Sequence, residues 1–417
     1  MSSDKPHYEN VPFEVPSSWV WTTVGEISQS ILYGVSESAK SRGTYRLLRI
    51  TDIQDNTVNW NTVPFTDYED EKAEAYLLKD GDILFARTGA TVGKSYLVNN
   101  LQEKAIYASY LIRVKTNHYV LPEFVKYFFE SGFYWEQVLG NSVGIGQPNV
   151  NGTILSNLEL PIPPIMEQKR IVKELGKWLS IIDKIEESKG QLQKNISWAK
   201  SKVLDLAIHG KLVPQDPTDE PATELLKRIN PKAEITSDNG HYQKLPEGWC
   251  ETQLGDIFNH NTGKALNSSN TEGTLKDYLT TSNVYWNSFD FSVIKKMLFK
   301  ESELNKCQIT KGDLLVCEGG DIGRAAIWDY DYDICIQNHL HRLRPKVNGL
   351  CVSFYYYVLY YLKINNMIGG KGIGLLGLSS NALHKLHVPF PSLNEQHRIV
   401  SKIEEIFAQL DAIEASL

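Results

Sequence analysis

The chain is written twice. "VPSSWVWTTVGEI" (15–27) returns as "LPEGWCETQLGDI" (245–257), keeping a Pro-x-x-Trp and a Gly-acid-Ile. "KDGDILFARTGATVGK" (79–94) returns as "KGDLLVCEGGDIGR" (311–324), and "YLIRVK" (110–115) as "HLHRLR" (339–344). "GIGQPNVNGTILSNLELPIPP" (144–164) matches "GIGLLGLSSNALHKLHVPFPS" (372–392). Finally "EQKRIVKELGKWLSIIDKIEES" (167–188) matches "EQHRIVSKIEEIFAQLDAIEAS" (395–416). All the matches keep one order. A period this long means duplicated domains, not a solenoid of short units.

Bulk properties agree with a multidomain, folded chain. At 417 residues two or three cores are expected. The polar start "MSSDKPHYEN" has no apolar signal region, and "FYYYVLYYLKI" (354–364) is too short to span a bilayer. The five cysteines (250, 307, 317, 335, 351) form no CxxC pair, which fits reduced thiols in a cytoplasm and neither a disulfide framework nor a zinc site. The net charge of −7 says little about nucleic acid, because binding depends on local patches. One such patch is "KSRGTYRLLRI" (40–50), whereas "DPTDEPATE" (216–224) is an acidic linker.

Hydrophobic spacing sets the coarse architecture. "YRLLRI", "DILFA" and "YLIRVK" read as strands and "LPEFVKYFFESGFYWEQV" (121–138) as a helix. The second copy has "DLLVC", "AAIWDY" and "HLHRLRP" as strands and "VSFYYYVLYYLKI" as a helix. Each copy is therefore an α/β or α+β unit with a helical tail. In the first tail Ile171, Leu175, Trp178, Ile182 and Ile185 alternate steps of four and three. The pattern resumes at Leu192 and runs to Leu206, predicting a helix over about 166–208. Ile399, Ile403, Ile406, Leu410, Ile413 and Leu417 repeat the seam. Such stripes must be buried, and two related tails can do so by packing antiparallel about a pseudo-twofold axis. Ordinary packing of each helix on its own domain is the alternative. Pro161, Pro163, Pro389 and Pro391 are expected to stop the last strand of each domain. The resulting division is 1–164, first domain; 165–208, first helix; 209–243, connector; 244–392, second domain; 393–417, second helix.

The stretch "RTGATVGKSY" (87–96) raises the question of a phosphate-binding loop. Three residues separate Gly89 from Gly93-Lys94, one fewer than a P-loop needs. In the second copy Lys94-Ser95 becomes Arg324-Ala325, which removes the magnesium-binding hydroxyl. What both copies keep is glycine plus one cation, the makings of a strand–turn–strand with a basic tip.

The Pro-x-x-Trp opening, the Gly-Asp strand, the Pro-x-Pro…Glu-Gln-x-Arg-Ile-Val helix start and "GKLVPQDPTDEPATELLKRI" (210–229) together resemble specificity subunits of bacterial type I restriction–modification systems. The resemblance covers almost the whole chain. It implies two target-recognition domains, separated by long antiparallel coiled-coil helices, each reading half of a split sequence in double-stranded DNA. It also implies docking of two modification (methyltransferase) subunits and, through them, restriction/translocase subunits. No cofactor is expected in this chain; S-adenosylmethionine, ATP and magnesium belong to the partners. No amino-methyltransferase motif, complete Walker A or metal-ligand cluster is present in the sequence, so the chain reads as a non-catalytic cytoplasmic DNA reader without a membrane partner. Candidate DNA contacts are Lys40, Arg42, Arg87, Lys94, Gln147 and Asn149 in the first domain, and Lys264, Arg324, Asn338 and His341 in the second. Arg pairs with guanine, Asn and Gln with adenine, and Lys with phosphate. Two other readings stay open: a coiled-coil adaptor without DNA readout, and a nucleotide-binding enzyme that uses the 89–95 loop.

Overall fold

A computed structural model of the chain describes residues 13–88, 92–140, 150–233, 235, 245–266, 271–368 and 378–417. The chain divides into two compact units, Met1–Ile185 and Glu186–Leu417. The boundary falls inside one unbroken helix, Ile165–Ile208.

In the first unit an antiparallel sheet orders its strands Ser28–Tyr33, Leu111–Thr116, Ile83–Ala86 and Ser95–Leu97. The strand "ILFA" has every residue buried, as expected for a central strand covered on both faces. A second sheet pairs Tyr45–Leu48 in parallel with Ala105–Tyr107 and antiparallel with Phe65–Thr66. A two-stranded ribbon, Val20–Thr23 with Glu159–Ile162, brings the two ends of the domain together. The expected 121–138 helix is two helices, Pro122–Phe128 and Gly132–Gly140. The break is local: the Ser131 hydroxyl donates to the Phe128 carbonyl (2.7 Å) and accepts from Tyr134 N–H (3.2 Å), turning the chain ahead of Gly132.

The second unit repeats this topology, with one strand more, Gln308–Ile309, in its second sheet. Its sheet runs Phe258–Thr262, Leu340–Pro345, Leu314–Cys317 and Ala325–Ile327. Thr274–Leu279 pairs in parallel with Ile334–Ile336, and Cys250–Gln253 closes on His387–Phe390. The helix Val352–Ile364 matches its sequence segment at both ends. Pro161 and Pro389 lie within the two closing strands, opposite Trp21 and Glu251, and do not stop them. A ribbon of only two strands leaves one side unpaired, so a missing proline N–H costs no ladder bond.

The sheet cation repeats as well. Arg113 donates to the carbonyls of Leu77 and Ala75 (both 2.9 Å), and Arg342 to those of Asn305 (3.0 Å) and Gln308 (2.7 Å). The buried guanidinium groups here donate to backbone carbonyls, a condition under which a charge is tolerated inside a protein.

The long helix beyond Gln191 joins the core of the second unit. Leu204, Ala207 and Ile208 are buried in one cluster with Trp249, Phe354, Ile399 and Ile403. Lys189 reaches the Leu417 carbonyl, and Lys200 pairs with Asp411 (2.5 Å) and Glu414 (3.2 Å). Residue numbers rise on one helix as they fall on the other, so this part of the long helix and the C-terminal helix (Leu393–Ala415) run antiparallel. The acidic connector is ordered too. Its helix Ala222–Ile229 buries Leu225 and Leu226 in the same core. Asp219 accepts from Ser392 Oγ (2.8 Å), Asn394 Nδ2 (3.1 Å) and the Arg398 guanidinium (2.7 Å), at the start of the C-terminal helix.

Candidate nucleic-acid interface

The repeated sequence signature builds a repeated socket. Trp19 Nε1 donates to Glu167 Oε1 (3.2 Å), and Trp249 Nε1 to Glu395 Oε2 (2.9 Å). Gln168 accepts from Leu121 N–H (2.8 Å) and donates to the Pro163 carbonyl (2.9 Å). Gln396 does the same with Cys351 N–H and the Pro391 carbonyl (both 3.1 Å). The Glu-Gln pair therefore ties each tail helix to its domain. The trace of this socket in the sequence is that the Glu-Gln pair and the Pro-x-x-Trp segment recur together in both copies.

The basic tips lie on antiparallel hairpins. Ile83–Ala86 turns into Ser95–Leu97, and Leu314–Cys317 into Ala325–Ile327. A strand follows Lys94 where a P-loop needs a helix, so the nucleotide-loop reading fails on geometry. Gly93 has φ +87 and a Cβ there would stand 2.6 Å from the Trp135 ring; Gly323 has φ +85 and faces Ile368 at 2.8 Å. The glycine before each cation is thus required twice over, by backbone and by space.

The candidate side chains differ in availability. Lys94 and Arg42 are exposed, and neither forms an ion pair with a described residue. Lys40 is exposed and pairs with Asp67 (3.0 Å), whose carboxyl it holds below the ordinary range. Arg87 lies over the Tyr33 ring and Arg324 over the Tyr285 ring, each at 4.9 Å. Arg324 also donates to the Thr281 carbonyl (2.7 Å). Asn338 is half-buried, its N–H donating to the Lys264 carbonyl (3.0 Å). Gln147 and Asn149 lie outside the described residues.

Two candidates are corrected. Lys264 is nearly enclosed, with its ammonium on Glu303 (2.6 Å) and the Leu298 carbonyl (2.9 Å). It ties its segment to the strand Lys295–Phe299 and to the helix Glu301–Cys307, through a carboxylate 39 residues away that spacing does not reveal. His341 is fully buried. Its Nε2 meets the Leu378 carbonyl (2.8 Å) and its Nδ1 meets His260 Nε2 (3.0 Å). The carbonyl accepts only, so Nε2 carries the proton and Nδ1 accepts from His260. Burial pushes His260 down to about 4 and lowers His341 as well.

The seam residues also divide. Ile399 and Ile403 are buried in the second unit's core, Ile406 and Leu410 are half-buried, and Ile413 is exposed. On the long helix Ile171 is half-buried, while Leu175, Trp178, Ile182 and Ile185 are exposed. The C-terminal helix packs along 189–208, so the seam it shares lies further along the long helix than the 171–185 stripe.

Among the described residues no cluster of three or more His, Cys, Asp or Glu could hold a metal. No described helix is long and apolar enough to cross a membrane. The family profile of the type I restriction modification DNA specificity domain matches residues 16–194 and again 246–417. The chain belongs to this family. Relatives among type I specificity subunits include those of the EcoBI enzyme of Escherichia coli, 24% identical over 96% of this chain and 81% of that protein, and the StySPI enzyme of Salmonella potsdam, 22% identical over 96% and 84%. In fold, the specificity chain resembles the HsdS subunit from Thermoanaerobacter tengcongensis, with TM-score 0.58 and 18% identity over 97% and 93% of the two chains. It also resembles a chain of a type I R-M system solved for its assembly and conformational transition, with TM-score 0.67 and 20% identity over 97% and 94%.

Proposed function

We propose that this chain is the DNA-recognition subunit of a type I restriction–modification complex, each domain reading one half of a split sequence. The observation that carries this is the duplication itself: two units of one topology, each with a cation on a hairpin tip, in a chain of the specificity family. Two related readers on one chain suit two half-sites on one duplex, as dimeric DNA-binding proteins do with two subunits. Lys40, Arg42, Arg87, Lys94 and Arg324 supply cations for phosphate or guanine, and Gln147 and Asn149 suit base edges. The chain itself is non-catalytic. Methyl transfer with S-adenosylmethionine and ATP-driven translocation with magnesium would reside in two modification subunits and the restriction subunits that join them. The helical tails would set the spacer and offer the docking face.

The experiment is methylome sequencing of cells that express the chain with its modification partner. A split motif with a fixed unspecified spacer is expected. A continuous motif, or modification independent of this chain, overturns the proposal.

A further inference from the structure

The two hairpin tips are one arrangement built twice. In the first unit Ala86 N–H donates to the Lys94 carbonyl (2.9 Å) and Gly93 N–H to the Ala86 carbonyl (3.0 Å). In the second, Cys317 N–H donates to the Arg324 carbonyl (2.8 Å) and Gly323 N–H to the Cys317 carbonyl (2.9 Å). The next residue is tied in the same way. Arg87 N–H donates to the Tyr110 carbonyl (3.2 Å), and Glu318 N–H to the His339 carbonyl (3.0 Å). Arg87 and Glu318 therefore hold one place in the fold, at the root of the tip, and their charges are opposite.

Neither charge meets a strong partner among the described residues. Arg87 is half-buried over the Tyr33 ring, and the Tyr33 hydroxyl accepts from Gly152 N–H (2.6 Å), which fixes the ring under the guanidinium. No described carboxylate pairs with it. The Glu318 side chain is 33% exposed. Its described ionic neighbour is His339 Nδ1 at 3.7 Å, too far for a hydrogen bond. The tip cation Arg324 bonds the Thr281 carbonyl instead.

A carboxylate accepts hydrogen bonds and donates none. Beside DNA it is repelled by phosphates, so only base amino groups can hold it. In the major groove these are cytosine N4 and adenine N6, and adenine sets its N7 acceptor beside the amino group. Cytosine alone presents a donor with no acceptor on the same base. Guanine presents two acceptors, which suit Arg87 and repel Glu318.

We propose that Glu318 is a base-reading residue of the second domain, accepting from the N4 amino group of a cytosine at the place where the first domain offers Arg87 to a guanine. The assignment rests on the DNA-reading role proposed above and adds one base identity to each half-site. One scaffold reads different bases in its two copies by exchanging the sign of a single side chain.

The test uses the chain together with its modification partner. Methylome sequencing defines the parent's half-sites, and anisotropy with duplexes that carry each single base-pair change measures discrimination at every position. One position of the second half-site should hold a cytosine. Glu318→Ala should lower discrimination there about tenfold and leave the first half-site's discrimination unchanged. Glu318→Gln should turn the preference at that position from cytosine to adenine, because an amide both donates and accepts. A changed preference cannot come from a misfolded chain. Arg87→Ala should lower discrimination for guanine about tenfold at one position of the first half-site. The assignment is overturned if Glu318→Ala weakens all duplexes alike or leaves every position unchanged, or if the position it relaxes holds another base. Loss of all sequence preference in both Glu318 variants overturns it too, since one contact carries one position. Specific binding by the parent beside unmoved variants overturns the Glu318 assignment alone, whereas a parent without sequence-specific binding overturns the DNA-reading role.

Discussion

Trp249 and Glu395 are 146 residues apart in the chain and 2.9 Å apart in space, indole nitrogen to carboxylate oxygen. Glu395 is 3% exposed, and burial raises its carboxyl above the usual value although the Trp249 and Gln215 hydrogen bonds oppose the rise. Trp249→Phe keeps the ring and removes one of those donors. It should cost about 1–3 kcal/mol in chemical unfolding. Trp19→Phe should cost less, because Glu167 is only half-buried and water can replace the donor. Equal effects of the two changes would contradict this account of the socket.

Acid should loosen the second unit ahead of the first. His260 has a pKa of about 4 and His341 is lowered too, burial being the first cause for each and neighbouring imidazoles adding to it. A depressed folded-state pKa means that the unfolded chain takes up the proton first. The stability of the neutral pair is therefore complete above the ordinary histidine value near 6.5 and is lost as pH falls from there towards about 4. Discounted for the part of the ring that reaches solvent, the loss is on the order of 2 kcal/mol. Denaturant midpoints measured from pH 7 to 4 should show this slope, and His260→Gln should flatten it.

Asp219 ties the connector to Asn394 and Arg398, and it gathers three donors at the start of the C-terminal helix. Arg398 first, with Ser392 and Asn394, holds its carboxyl below the usual range against the opposing effect of burial. Asp219→Ala should lower the second unit's stability by about 2 kcal/mol at neutral pH. The difference from the parent chain should shrink as pH falls below the ordinary aspartate value, where both lack the charge. A constant difference across that range would show that shape, not charge, is what Asp219 contributes.

Lys94 and Lys264 were equal candidates by residue type, and the structure separates them. Lys94→Ala should weaken duplex binding and reduce the slope of log affinity against log salt by about one, as should Arg42→Ala. Lys264→Ala should leave that slope unchanged and lower the unfolding midpoint, since it would remove the ammonium held by Glu303 and the Leu298 carbonyl. Fluorescence anisotropy over a salt series, paired with denaturation, separates the two effects. A salt slope altered by Lys264→Ala would return it to the interface.

The repeat made the architecture legible, because each strand and helix was stated twice. The long helix, expected over 166–208, spans Ile165–Ile208, and "VSFYYYVLYYLKI" is helical from end to end. What escaped is what distant partners decide. A strand's alternation says that one face is buried without saying which, so His341 could be placed on the open face when its ring sits in the core. Lys264 reads as a free cation until Glu303 is brought beside it. A four-three stripe announces that something covers it, and for Ile399 and Ile403 that cover includes their own domain. The aligned copies spell the exchange of Arg87 for Glu318, and only the fold shows both side chains half-buried at the root of a basic tip.

The helix Ile165–Ile208 has a temporal consequence. Ribosomes add roughly 5–20 residues per second, so Leu204 and Ala207 leave the exit tunnel on the order of ten to forty seconds before Ile399 and Ile403 exist to cover them. During that interval a nascent polypeptide carries a finished head and a bare greasy stem. Expression yield should therefore respond to translation speed between codons 209 and 403, and to chaperone supply, more than to the stability of the completed fold.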